Sequence, residues 1–185
     1  AERLEEENTY QATLSRVALG QLYVELGRAE DAEVLVQQAM QHEETLGVSR
    51  KLIAKKVLGQ AASMQGRFEE AELLLLEALA GKEASTGSRP STLFDFLAAV
   101  TAHYRRAGDL QASRRYGERI ARIAWEIDPL TWQGALALRE YARTLRELDD
   151  DDAGAVFDRS LGIMRVTFGG TDPRVIEVSE LMQTP

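Results

Sequence analysis

Glu25-Leu26-Gly27-Arg28-Ala29-Glu30-Asp31-Ala32 returns three more times in altered form along this 185-residue chain. Gln65-Gly66-Arg67-Phe68-Glu69-Glu70-Ala71 is a near copy. The stretch from Ala107-Gly108-Asp109-Leu110 to Ser113 is looser, and Glu147-Leu148-Asp149 through Gly154 is the most worn. The anchors Gly27, Gly66, Gly108 and Asp149 stand 39, 42 and 41 residues apart. A near-constant period of this size is the mark of a solenoid.

Outward from each anchor the apolar residues recur at helical spacing. Thr9 to Leu26 is predicted as a helix with a stripe of Leu14, Val17, Ala18, Leu22 and Leu26. The residues before it, Ala1 to Leu4, fit the tail of an earlier helix, as in a fragment of a longer protein. Gly27 ends the helix by accepting positive φ. Ala29 to Thr45 forms the second helix, with Ala32, Leu35, Val36 and Ala39 facing inward. The second repeat places helices at Leu52 to Met64 and Phe68 to Glu83, the run Leu73 to Leu76 at the centre of the latter. The third starts at Ser91, where Thr92 and Asp95 offer a capping pair, and continues from Leu110 to Ile127. Asp128-Pro129 reads as an N-cap and first helical residue. The fourth runs Leu130 to Leu148 and Asp150 to Phe168, and Gly169-Gly170 closes it. Asp172-Pro173 opens a further helix, Arg174 to Met182, suited to cap the array.

These spans predict an all-α fold, a solenoid of antiparallel helix pairs forming one domain over residues 1–185. The repeats are about 9–49, 50–90, 91–129 and 130–172, with a capping helix over 173–182. Ala, Leu, Glu and Arg dominate, a helix-forming composition. The chain has no Cys, which excludes disulfides, thiolate metal sites and a thiol nucleophile and fits a reducing compartment. No apolar run is long enough to span a bilayer, and the acidic first residues are not a signal peptide. A cytoplasmic location is therefore expected. The net charge of −8 argues against nucleic acid and anionic membranes as partners of the whole surface.

The anchor residues and their neighbours resemble tetratricopeptide repeats of the long form found in kinesin light chains and many bacterial regulatory proteins. The pattern is carried by Leu19, Gly20, Tyr23, Gly27, Ala32 and Ala39 in repeat one. Leu58, Gly59, Ala62, Gly66, Ala71 and Ala78 carry it in repeat two. Val100, Thr101, Tyr104, Gly108, Ser113 and Ile120 follow in repeat three, then Tyr141, Ala142, Leu145, Asp149, Gly154 and Leu161 in repeat four. Phe168 to Pro173 is similar to the family's Leu-Gly-x-x-His-Pro junction, with Asp172 in place of His. The Asn common in first helices of kinesin light chain repeats is replaced by Ala18, Val57, Ala99 and Glu140. Small residues such as Gly20 and Gly59 let helices approach, while Leu19 and Leu58 are expected to fill the space between repeats.

The resemblance implies a right-handed superhelix with a concave groove lined by first helices. It implies a non-enzymatic protein-interaction module that binds a peptide or protein segment. Repeats of this form also resemble regulatory or sensor arms of larger bacterial signalling enzymes, which is the alternative. Carried over residue by residue, the groove positions are Val17, Gln21 and Val24, then Lys56, Gln60 and Ser63, then Ala98, Ala102 and Arg105, then Arg139, Arg143 and Arg146. The candidate site is accordingly Gln21, Val24, Lys56, Gln60, Arg105, Arg139, Arg143 and Arg146. Three Arg on one helical face suit an acidic, phosphorylated or carboxylate-bearing partner, because guanidinium binds such groups in a fork. The competing reading is a solvated face with local partners, such as Arg143 with Glu147 at i, i+4. The family's carboxylate clamp uses Lys and Asn at set places. Gln60 stands where Asn would be, so binding of chaperone C-termini is not expected.

The remaining polar and aromatic features point to structure. Asp149 to Asp152 lacks the ligand alternation of a calcium loop and suits a helix N-terminus. His42 and His103 are expected at the surface or the groove edge. Trp125 and Trp132 are expected to pack between repeats three and four, and Phe94 and Phe96 in the core. No catalytic set, cofactor motif or metal motif is visible. Self-association through uncapped solenoid ends is a further expectation.

Overall fold

The structure, a computed structural model, describes the backbone of residues 2–86, 89–126 and 131–183, and side chains within 9–85, 89–126 and 131–182. Among these residues there is no strand. The helices are α1 (Glu2–Glu25), α2 (Ala29–Met40), α3 (Val48–Met64), α4 (Phe68–Thr86), α5 (Phe94–Arg106), α6 (Leu110–Glu126), α7 (Trp132–Glu147), α8 (Ala153–Phe168) and α9 (Pro173–Gln183). The 3₁₀ turns Glu43–Thr45 and Pro90–Leu93 precede α3 and α5. The all-α solenoid class expected from the repeat is thus the fold observed. The chain divides into two compact units, Ala1–Gly87 and Ser88–Pro185.

In the N-terminal unit α1 pairs with α2 and α3 with α4, and α3 also packs on α1 and α2. The core holds Val17, Ala32, Val36, Ala39, Leu46, Ala54 and Val57, with Leu14, Tyr23, Val24 and Leu58 against its edge. Burying such side chains contributes about 1.5–3 kcal/mol each for the larger ones. A Cβ on Gly20 would lie 2.4 Å from Val36 Cγ2, so the α1–α2 crossing depends on that missing atom. Glu33 of α2 accepts from Arg67 Nη2 at 2.6 Å and Gln65 Nε2 at 2.8 Å, tying the first pair to the second turn.

Several expected details differ. Helix α1 begins at Glu2 and runs unbroken through Thr9, so Glu2 to Leu4 belong to the first helix and not to an earlier one, while Ala1 lies outside the described residues. Its inward stripe is Thr13, Val17 and Gly20, whereas Leu19, Leu22 and Leu26 are 44%, 46% and 60% exposed. Helix α1 packs chiefly on α2 and α3, and its other apolar edge stays largely exposed. Leu19 is therefore not a buried filler between repeats. Helix α2 stops at Met40, five residues early, and Leu73 of α4 faces outward while Leu75 is buried.

In the C-terminal unit α5 pairs with α6 and α7 with α8; α7 also packs on α5 and α6, and α9 on α8. Phe94, Phe96, Leu97, Ile120, Leu138, Phe157 and Met164 are buried there, so both Phe94 and Phe96 are core. His103 is buried too, not at an edge, while His42 is exposed. Thr92 forms no capping pair with Asp95: its hydroxyl donates to the Arg89 carbonyl within the 3₁₀ turn. Asp128-Pro129 lies outside the described residues. Asp172 does open α9, its Oδ1 accepting from the Arg174 amide at 2.9 Å. Trp125 is half exposed beneath Arg159, and Trp132 is 42% exposed with its edge on Phe168, so neither is a buried wedge.

The anchor turns at Gly27, Gly66 and Asp149 share one geometry, and Gly108 takes the same positive φ. Arg28 N–H donates to the Tyr23 carbonyl and Gly27 N–H to that of Val24; Arg67 and Gly66 do the same to Ala62 and Ser63. Asp150 N–H and Asp149 N–H repeat the pattern on Leu145 and Arg146. This is the left-handed helix stop that Gly favours. Gly66 takes it at φ 78°, and Asp149 takes it at φ 58° with a Cβ. Opposite signs are expected at the two sites. Gly66→Ala should destabilise by about 1 kcal/mol and Asp149→Gly should stabilise by up to about 1 kcal/mol. Urea unfolding midpoints moving in the same direction would refute the equivalence of the turns.

Candidate functional site

The expected site residues fall into two groups, one per compact unit. In the N-terminal unit Gln21 and Gln60 are half-buried, Val24 packs on the core, and Lys56 is buried. Val17 and Ser63, at the same helical register, are also buried. The line counted from the turn glycines therefore runs partly along packed sides of α1 and α3.

In the C-terminal unit Arg105 of α5 and Arg139, Arg143 and Arg146 of α7 come together. The spacing of four and three residues puts the last three on one side of α7, and α5–α7 packing brings Arg105 beside them. At their centre is Glu140, whose side chain is only 10% exposed. Its Oε2 lies 3.3 Å from Arg105 Nη2, and its Oε1 lies 3.0 Å from Arg139 Nη2 and 3.1 Å from Arg143 Nη1. Burial alone would push this carboxyl upward. The surrounding guanidinium groups of Arg139, Arg143, Arg105 and Arg106 outweigh burial and hold it down at about 2.

Two half-exposed carboxylates complete the cluster. Glu147 pairs with Arg105 Nη1 at 3.0 Å. Glu177, on α9, pairs with Arg139 Nη1 at 3.1 Å and with Arg143 Nη2. Arg146 donates to the Leu181 carbonyl of α9, and its guanidinium lies 5.6 Å from the Phe157 ring. Arg143 thus pairs with Glu140 and Glu177, and the expected partner Glu147 pairs with Arg105 instead. Arg105, Arg139 and Arg143 have side chains 17–20% exposed. The buried Thr144 hydroxyl anchors the same stretch of α7 by donating to the Glu140 carbonyl and meeting the Ser113 hydroxyl at 2.8 Å.

Chemically this is a network of ion pairs built around one buried carboxylate. Arg105, Arg139 and Arg143 meet three carboxylates, and Arg146 beside them adds a further positive charge in a chain of net charge −8. Sequence reasoning found the arginines but not the organising role of Glu140 or the participation of Glu177. The acidic run after it is structural at Asp150, which pairs with Arg114 Nη1 at 3.1 Å and accepts from the Asp152 amide. A separate depression of about 360 Å³ lies between α6, α7 and α8, with Trp125, Tyr141 and Leu145 in its wall and Arg122 and Asp152 also lining it.

Residues 8–84 match the family model described as tetratricopeptide repeat. No curated protein matches the chain. Among solved structures, BtubC (BKLC) from P. vanneervenii is similar over 90% of this chain, at 20% identity and a TM-score of 0.62. This chain spans 63% of that protein's length. The nearly identical TPR-like repeats of a kinesin-light-chain-like protein from Podosopora anserina are similar over 91% of this chain and 87% of theirs, at 18% identity and a TM-score of 0.62. At such identities the likeness establishes the fold, which extends well beyond the residues matched by the family model.

Proposed function

We propose that this chain, whose residues 8–84 are tetratricopeptide repeats of the kind that generally mediate protein–protein interaction, takes an acidic segment of a partner protein on the arginine face of α7. The observation that carries the reading is the convergence of Arg105, Arg139 and Arg143 on the buried Glu140. A buried carboxylate fixes the guanidinium groups in place, so a ligand need not order them, and preorganisation lowers the entropic penalty of binding. Guanidinium groups donate paired N–H bonds to carboxylate or phosphate oxygens, which suits an aspartate- or glutamate-rich or phosphorylated stretch. Gln21 and Gln60 are the accessible members of a second candidate contact line in the N-terminal unit, beside Val24 and Lys56.

The test uses fluorescein-labelled hexaglutamate and anisotropy at low ionic strength. Arg139→Gln/Arg143→Gln should weaken binding at least about tenfold, the value of a charge-assisted hydrogen-bonded contact. Arg146→Gln, which removes no partner of Glu140, should weaken it about threefold and guards against a folding defect in the double variant. Arg115→Gln/Arg122→Gln on exposed α6 positions is the comparison. Equal losses from the α6 and α7 pairs would mean diffuse attraction and no site.

A further inference from the structure

The arginine face of α7 is already engaged by a segment of the same chain. Helix α9 seats Val175 and Val178 in the core, at 1% and 0% exposure, and packs on α8. Its polar side reaches α7 through Glu177, which pairs with Arg139 and Arg143, and through the Leu181 carbonyl, which accepts from Arg146. Helix α9 thus presents a carboxylate and, four residues on, a carbonyl to the three arginines assigned above to a partner.

The two kinds of carboxylate in the cluster are not equivalent. Glu140 is buried, and removing it from its partners would strand an ion in a poorly solvated place. Glu177 is 45% exposed, so water already competes for its carboxylate and the pair contributes less than the buried Glu140 contacts. An external carboxylate can replace Glu177 at small net cost, whereas none can replace Glu140. The connection to α8 suits such an exchange. It passes through Gly169, at φ 83°, and Gly170, and α9 starts from its own cap at Asp172.

We propose that α9 is a displaceable latch, with Glu177 holding in cis the place that an acidic residue of the partner takes on Arg139 and Arg143. This rests on the reading of the α7 face as an acidic-segment site. Partner binding and the hold of α9 on α7 are then coupled, and coupling between two sites is reciprocal. Loosening the latch tightens the partner's grip, and the partner loosens the latch. The buried Val175 and Val178 keep α9 on α8, so the exchange frees its polar side without unfolding the cap.

Hexaglutamate anisotropy and amide hydrogen exchange on the intact chain test the latch. Glu177→Gln should bind the peptide about three- to fivefold more tightly than the wild type, the exchange of a weak pair expressed as affinity. Asp158→Asn, an exposed change of equal charge on α8, controls for net charge and should change affinity less than twofold. Saturating peptide should speed amide exchange within residues 176–182 of the wild type and leave that of Glu177→Gln unchanged. Equal affinity of Glu177→Gln and wild type, with binding still lost in Arg139→Gln/Arg143→Gln, would overturn the latch and leave the binding face standing. Equal tightening by Asp158→Asn would also overturn it. Peptide binding that ignores the α7 arginines would overturn both.

Discussion

Glu140→Gln should destabilise the C-terminal unit by about 3 kcal/mol at pH 7, and most of that difference should vanish in acid. In the folded chain the Glu140 carboxyl sits at about 2, against an ordinary 4.5. A carboxylate held down in this way stabilises the fold fully above the ordinary value and loses its contribution as pH falls through 4.5 toward 2. The gap corresponds to about 3 kcal/mol, of which about 2 kcal/mol is gone by pH 3. Breaking a buried ion cluster by removing one partner carries a penalty of the same order, about 3–5 kcal/mol, because the remaining charges lose their compensation. Here Arg139, Arg143 and Arg105 would be left to repel one another. Urea unfolding of wild type and variant at pH 7 and pH 3 is the measurement. The wild-type advantage should shrink from about 3 to about 1 kcal/mol. An advantage equal at both pH values would assign the effect to packing or neutral hydrogen bonding and remove the electrostatic account.

That carboxylate was partly legible in the sequence. Aligning the repeats on their anchors puts Glu140 level with Ala18, Val57 and Ala99. Of these Val57 and Ala99 are buried, at 0% and 2% exposure. A charged residue in such a column must bring its own counter-ions, and Arg139 and Arg143 stand beside it. Arg105 and Glu177 could not be read the same way, because they arrive from α5 and α9 by tertiary packing. The turns were the most legible feature, since their signal is local: a residue able to take positive φ after an apolar helix. Asp149 shows the signal surviving the loss of Gly.

The register was less secure after the fourth turn. Helices α2, α4 and α6 start two residues past their anchors, whereas α8 starts at Ala153, four past Asp149. The buried small residues there are consequently Ala153 and Ser160, in place of the expected Gly154, which is exposed. Asp150, Asp151 and Asp152 after the anchor lengthen that turn, with Asp150 accepting from the Asp152 amide. The slip lies beyond α7, so it does not change which side of α7 carries Arg139, Arg143 and Arg146. The outward side of α1 failed for another reason. Helical periodicity marks apolar edges, but it does not tell which edge a neighbour covers.

Gly117→Leu should cost more than about 3 kcal/mol, and Gly117→Ala about 2 kcal/mol, because α6 and α7 cross there without room for a Cβ. An atom at that place would lie 2.0 Å from Tyr141 Cδ2 and 2.7 Å from its Cγ. The far end of a flexible side chain could swing away, but Cγ shifts only by rotation about the Cα–Cβ bond or by movement of α7, and Tyr141 is largely buried. Helix propensity favours Ala over Gly by about 1 kcal/mol, so the observed loss is the clash less this gain. Gly162 on α8 separates the two effects. Nothing lies within 4 Å of a Cβ there, so Gly162→Ala should raise stability by up to about 1 kcal/mol. A double-mutant cycle supplies the decisive measurement. Tyr141→Ala alone removes a buried ring and should cost about 3 kcal/mol. In the Gly117→Ala background the same change should cost at least about 1 kcal/mol less, because it also removes the overlap. Strict additivity would show that the helices separate freely at this crossing. The α6–α7 contact would then not be the rigid support on which the arginine face depends.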